Sequence, residues 1–235
     1  MPQYEGIPGM WGFSEYRVLN ENEIFKVSGD VPFEQLALAE PLACVIHSMK
    51  KMDIKLADDV VIIGAGAMGL LNLLVASLLG ARTIVSEIDP QRMEKAREMG
   101  ANAIIEAADG DPVEQVKALT EGRGANFVIA AFGSGKVNEQ ALKMLDKGGK
   151  FMLFAAAYPS TPLNVDSNLI HHKEFVILGT SGKDPEDLRV AAKLLSRGMA
   201  NVAPMIQAVI PFKDIEKALD LAVAPGSFRV VVRMD

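Results

Sequence analysis

Gly64, Gly66 and Gly69 stand in the spacing G-x-G-x-x-G, with Ala67 and Met68 between the last two. A β-branched run, Val60–Ile63, leads into them, and an apolar helical stretch, Ala67–Leu79, follows. A strand, a tight turn and a helix in that order make a place for phosphate. Gly64 permits the turn, Gly66 lets a pyrophosphate approach the backbone, and Gly69 lets the helix pack closely on the strand. The helix amino end adds unpaired N–H groups and a partial positive charge. An ordinary glycine-rich turn between strand and helix is the plain alternative, and Glu87, at the end of the next strand, argues against it. A carboxylate there can accept hydrogen bonds from both hydroxyls of an adenosine ribose, worth roughly 1.5–3 kcal/mol for a charged acceptor. The same charge repels a 2′-phosphate, so NAD is expected over NADP. Asp89 is a rival for this role but is better used as a helix cap. Arg92 is open to two readings, a partner for a 2′-phosphate or a solvated helix residue.

A methyltransferase using S-adenosylmethionine is a competing class, since it also places a Gly-rich turn after its first strand and an acid after its second. It does not need the third glycine. The fourth strand here runs into Ala130-Ala131-Phe132-Gly133-Ser134, with no acidic or Asn-Pro-Pro methyl-transfer site.

These residues need a scaffold, and the chain supplies one from about residue 59. Strands are expected at Val60–Ile63, Arg82–Ser86, Ala103–Ile105, Phe127–Ala131, Lys150–Ala155 and Phe175–Gly179. Helices alternate with them at Ala67–Leu79, Pro90–Met99, after Asp111-Pro112, and at Val137–Leu145, the last stopped by Gly148-Gly149. Continuously apolar strands alternating with helices predict a parallel sheet covered on both faces, a doubly wound α/β fold. Residues 1–35 hold only short strand-like runs, Phe13–Leu19 and Ile24–Val27. After residue 182 come a helix opened by Asp184-Pro185, the run Pro204–Ile210, a short helix near Asp214–Ala222 and a last strand, Phe228–Arg233.

Composition bounds the rest. Of 235 residues, 49% are hydrophobic and 23% charged, enough apolar material for a core and too much for a disordered chain. The net charge is -6, without a basic run to offset it, so neither nucleic acid nor a membrane surface is an expected partner. Residues 60–81 carry no charge, but four glycines and Asn72 interrupt them, which fits strand, turn and buried helix better than a membrane span. Cys44 is the only cysteine, so no internal disulfide or CxxC site is possible. No secretion signal is evident at the amino end, and a cytoplasmic location is expected.

The ordered segments Trp11-Gly-Phe-Ser-Glu-Tyr16, Ala39-Glu-Pro-Leu-Ala-Cys44, Val61-Ile-Ile-Gly-Ala-Gly66, Ser86-Glu-Ile-Asp-Pro90, Phe132-Gly-Ser134, Asn168-Leu-Ile-His171 and Phe228-Arg-Val-Val231 resemble the zinc-type medium-chain alcohol dehydrogenases, in their sorbitol (polyol) and threonine dehydrogenase branch. The resemblance implies a six-stranded Rossmann domain at residues 38–182. Remnants of a GroES-like catalytic domain would flank it at 1–37 and 183–235. It implies NAD-dependent oxidation of a secondary alcohol, a polyol, sugar alcohol or amino alcohol, with a zinc ion polarising the alkoxide. It places Glu40 at the catalytic zinc, as an occasional or water-linked ligand, and Arg229 on the cofactor pyrophosphate. Phe132 and Gly133 would line the adenosine side, and Thr180 and Ser181 would offer main chain near the nicotinamide. Cys44 falls near the nicotinamide, although a small buried thiol is its plainer role, and His47, His171 and His172 are assigned to packing or loops. Pairing of two copies along Phe175–Gly179 is implied, hence a homo-oligomer.

The departures are informative. The family's cysteine and Gly-His-Glu zinc ligands and its four-cysteine structural lobe find no counterpart here, and Ala130 stands where an acid is frequent. The expectation is a shortened enzyme that binds NAD(H), holds little zinc and is weakly active or inactive alone. The alternative is a non-catalytic NAD(H)-binding regulatory or interaction module.

Overall fold

The computed structural model describes residues 12–21, 24–27 and 29–234. From Asp59 the chain alternates β1 (Asp59–Ile63), α3 (Ala67–Leu78), β2 (Arg82–Glu87), α4 (Pro90–Glu98), β3 (Ala103–Glu106), α5 (Pro112–Leu119), β4 (Ala125–Ala130), α6 (Gly135–Lys143), β5 (Leu145–Leu153), α7 (Ser167–Lys173) and β6 (Val176–Gly179). Two helices precede this series, the single turn α1 (Phe33–Leu36) and α2 (Ala39–Met52). It is followed by α8 (Pro185–Ser196), β7 (Ile206–Pro211), α9 (Ile215–Val223) and β8 (Arg229–Arg233).

The six strands β1–β6 form one parallel sheet in the order β3-β2-β1-β4-β5-β6. The strand order reverses between β1 and β4, and crevices at such a reversal are where doubly wound sheets bind ligands. Side chains alternate across the sheet, so Val60 and Ile62 enter one core and Val61 and Ile63 the other. The first core is closed by α2, α3, α4 and α8, the second by α5 and α6. A two-stranded parallel sheet of β7 and β8 stands apart, with α9 packed on it. No helix among the described residues is long and apolar enough to cross a membrane.

The helix starts follow from local chemistry. Asp89 accepts from the Gln91 and Arg92 N–H groups at 2.8 and 3.1 Å, and Asp111 accepts from the Val113 N–H at 2.9 Å, each ahead of a proline.

Several expectations need correction. The helix expected at Val137–Leu145 ends at Lys143, because Ala125 N–H donates to the Met144 carbonyl at 2.8 Å and draws the chain into β5. Gly148 and Gly149 therefore lie inside a strand and do not stop a helix. Phe13–Leu19 and Ile24–Val27 form no strand. Tyr16 is 91% and Val18 97% exposed, and no strand among the described residues lies beside them to complete a ladder. Trp11 lies outside the described residues. Three helices were not expected, the single turn α1 among them. In α2, Leu42, Val45, Ile46, Met49 and Met52 recur at helical spacing and are all buried. In α7, Asp166 caps the first turn through the Asn168 N–H at 2.9 Å.

Candidate functional site

The Gly-rich turn sits at the carboxyl end of β1, at the point of strand reversal. Gly64 has φ 96°, in the left-handed region, and its N–H donates to the Ser86 carbonyl at 2.8 Å. A Cβ on Gly69 would come within 2.8 Å of the Gly64 carbonyl carbon and closer still to its oxygen. That close packing holds the first turn of α3 beneath the loop. Gly66 is the N-cap and carries no side-chain cap, so the N–H groups of Ala67, Met68 and Gly69 begin the helix without intrahelical partners. A Cβ on Gly66 would meet only Arg92 Nη1, at 4.0 Å, which leaves the backbone approachable from outside.

Glu87 closes β2 and is 6% exposed. Its Oε2 accepts from the Ala65 N–H at 2.6 Å, and its Oε1 accepts from the N–H groups of Ile88 at 2.7 Å and Asp89 at 3.1 Å. The carboxylate thus ties the Gly-rich loop to the tip of the second strand. A carboxylate accepts about four hydrogen bonds, so three filled positions leave little of it turned outward.

Two arginines reach the same loop. Arg92 extends from the first turn of α4 to Gly66. Its Nη2 lies 3.5 Å from the Ser227 carbonyl, and its Nε is buried without a partner. Arg229, at the start of β8, brings its Nη2 to 3.9 Å from the Met68 sulfur. Two guanidinium groups therefore each lie close to the amino end of α3, an arrangement suited to phosphate oxygens. Phe132 is 60% exposed beside Gly64, and a Cβ on Gly133 would meet the Ala156 backbone, so Gly133 is a packing glycine in this turn.

Thr180 and Ser181 lie beyond β6, on the opposite side of the reversal from Glu87, and the Thr180 hydroxyl is buried without a partner. Glu40, in the first turn of α2, is exposed and lines a cavity of about 340 Å³ together with Phe13, Pro41 and Arg229. Cys44 donates toward Glu40 Oε1 at 3.5 Å. Burial first, and then the Glu40 charge, push the Cys44 thiol up to about 11.

The described residues around Glu40 do not fit a zinc ion. A catalytic zinc takes about three protein ligands. Glu40 has the Lys183 ammonium at 3.9 Å and only Cys44 Sγ, at 3.5 Å, as a second potential ligand beside it. Among the described residues the only group of three potential ligand side chains is elsewhere: His47, Asp184 and Asp187. Sequence reasoning missed that grouping. His47 Nδ1 lies 2.8 Å from Asp187 Oδ2 and 3.6 Å from Asp184 Oδ2. Lys50 already pairs with Asp187 Oδ1, and the Asp184 N–H donates to Asp187 Oδ2 at 2.8 Å. Burial pushes the Asp187 carboxyl up, but Lys50, the Asp184 N–H and His47 outweigh it and hold it below the ordinary carboxylate value. The Lys50 ammonium on Asp187 Oδ1 supplies part of the neutralising charge that a cation would bring.

Comparison with known proteins agrees with this geometry. Residues 67–197 match the family described as zinc-binding dehydrogenase. The chain is 28% identical over 222 residues to D-arabitol-phosphate dehydrogenase of Enterococcus avium, covering 93% of this chain and 63% of that protein. It is 32% identical over 204 residues to an uncharacterized zinc-type alcohol dehydrogenase-like protein of Haemophilus influenzae, covering 86% and 59%. A zinc-binding dehydrogenase of Sinorhizobium meliloti 1021, solved bound to NADP, superposes with a TM-score of 0.82 at 26% identity, covering 88% of this chain and 61% of that one. The chain thus spans about three-fifths of the length of such relatives.

Proposed function

Because the chain belongs to the zinc-binding dehydrogenase family, we propose that it is the NAD(H)-binding part of an alcohol or polyol dehydrogenase that takes a secondary alcohol to a ketone. The observation that carries the reading is the open amino end of α3, with Arg92 and Arg229 beside it and Glu87 locking the loop from below. In this reading residues 38–182 are the cofactor domain, and 1–37 and 183–235 belong to the catalytic domain.

The roles of the residues follow from position. The N–H groups at the start of α3 and the guanidinium of Arg229 hold the pyrophosphate. Glu87 fixes the Gly-rich loop and keeps a negative charge at the ribose. Phe132 covers the outer side of the loop, and Thr180 and Ser181 face the nicotinamide half. Bound nicotinamide supplies hydride acceptance from the alcohol carbon. Glu40 and Arg229 line the same cavity, so Glu40 is placed to meet polar groups of a substrate. No step is assigned to zinc, since the described residues around Glu40 offer fewer than the three ligands a catalytic zinc takes.

A second reading, NADP(H), is favoured by one observation. Arg92 Nη1 lies 4.0 Å from the position of a Cβ on Gly66, on the side where the loop is open, so its guanidinium is placed to meet a 2′-phosphate.

Fluorescence titration with NADH and NADPH, followed by a polyol turnover screen with and without zinc, tests the proposal. Saturable NADH binding, tighter than NADPH binding, is the expected result. Failure of both nucleotides to bind would overturn the cofactor reading, and tighter NADPH binding would replace NAD with NADP.

A further inference from the structure

On α2, Glu40, Cys44, His47 and Lys51 follow one another at intervals of four, three and four, which puts them in a line on one helix face. Three of them hold the segment that joins β6 to α8. Lys51 Nζ donates to the Gly179 carbonyl at 3.2 Å, at the end of β6. Glu40 faces Lys183 Nζ at 3.9 Å. His47 Nδ1 meets Asp187 at 2.8 Å and Asp184 at 3.6 Å, in the first turn of α8.

The far end of this line is held by several polar contacts. Asp184 and Asp187 form the cap of α8, with the Asp184 N–H donating to Asp187 Oδ2 at 2.8 Å. The Asp187 side chain is 1% exposed and is also paired with Lys50 of α2. The charged groups that face His47 are therefore Asp184 and Asp187 from α8 and Lys50 from its own helix. Between the two anchored ends run Thr180, Ser181, Gly182 and Lys183. Gly182 turns the chain at φ 65°, and the buried Thr180 hydroxyl has no partner within the protein.

The topology says what this loop faces. A dinucleotide whose pyrophosphate rests on α3 and whose adenosine lies toward Glu87 on β2 must extend its other half across β4, β5 and β6. Thr180–Lys183 leaves the carboxyl end of β6, on that side.

We propose that α2 is the support for this loop. His47 is its positioning residue: acting through the Asp184–Asp187 cap, it sets Thr180–Lys183 to receive the nicotinamide half of the cofactor. The proposal rests on the cofactor reading above. His47 itself touches neither cofactor nor substrate. A helix cap alone needs only Asp184 and Asp187; the histidine adds a link between α2 and the cap.

The test compares two ligands on the full chain. NADH fills both halves of the site, and ADP-ribose fills only the adenosine and pyrophosphate half. His47→Ala should weaken NADH about tenfold and leave ADP-ribose within about twofold. His47→Asn, whose amide can donate from near the Nδ1 position, should restore NADH binding. Lys51→Met, at an exposed position, should show the same split without threatening the fold, because it frees only the Gly179 end. Equal weakening of both ligands, or unchanged NADH binding in His47→Ala and Lys51→Met, would overturn the positioning role. Failure of the unaltered chain to bind either ligand would instead sink the cofactor reading on which it stands.

Discussion

Replacing Glu87 by alanine separates two jobs that one carboxylate performs. Ala65 is fully buried, and its N–H has Glu87 Oε2 as partner at 2.6 Å. Removing the acceptor leaves that donor orphaned inside the protein, at a cost of about 1–3 kcal/mol. The Ile88 N–H loses its partner too, but Ile88 is 66% exposed and water can replace the carboxylate there. The Asp89 bond is longer, at 3.1 Å, and adds little. A total of about 2–3 kcal/mol is expected, and at about 2–4 °C per kcal/mol for a chain of this size the melting temperature falls by roughly 5–10 °C. Glu87→Gln should lie between, since its amide oxygen can serve one N–H group while its nitrogen confronts another. The second job is electrostatic. Loss of the negative charge should narrow the preference for NADH over NADPH, even in variant protein that is fully folded at the assay temperature. Thermal unfolding followed by circular dichroism measures the first effect, and paired NADH and NADPH titrations below the transition measure the second. A melting temperature within about 1 °C of the parent, with an unchanged ratio of affinities, would refute both the loop-tying role and the discriminating role.

Two further outcomes follow from the same region. Gly69→Ala should abolish NADH binding and destabilise the fold by about 1–3 kcal/mol or more, since its new methyl collides with the Gly64 carbonyl; wild-type affinity in that variant would show that the loop is free to shift. Cys44, with its thiol pushed up to about 11, should be only roughly 0.1% thiolate at pH 8 and react slowly with iodoacetamide. The rate should climb tenfold per pH unit toward pH 11, and Glu40→Gln should raise it at fixed pH by removing a nearby negative charge; a rate that levels off near pH 8.5 would contradict the assigned environment.

What could be read from the sequence was what is decided locally. The Gly-rich turn, the aspartate–proline helix starts and the apolar strands each settle their conformation within a few residues, and together they specify the doubly wound order. The stripe Leu42, Val45, Ile46, Met49 and Met52 was equally local and marks α2 plainly. The Ala39–Cys44 motif hides it, because Glu40 and Pro41 interrupt the apolar period where the helix begins. The strand-like runs near the amino end illustrate the opposite limit, since a β-branched pattern has no structure without a neighbouring strand, and none among the described residues supplies one. His47 shows why the site itself was only half legible. Its partner Asp187 is 140 positions away, and only the packing of α8 on α2 brings them together. Before that packing is known, the histidine is one polar residue on a helix and the aspartate is one carboxylate near a proline. Glu87 carries the same lesson in reverse. Its position in the sequence says that an acid ends the second strand; the fold adds that most of its hydrogen-bonding capacity is spent on the protein's own backbone. A discriminating residue of this kind acts on a ligand partly by holding still the loop to which the ligand binds.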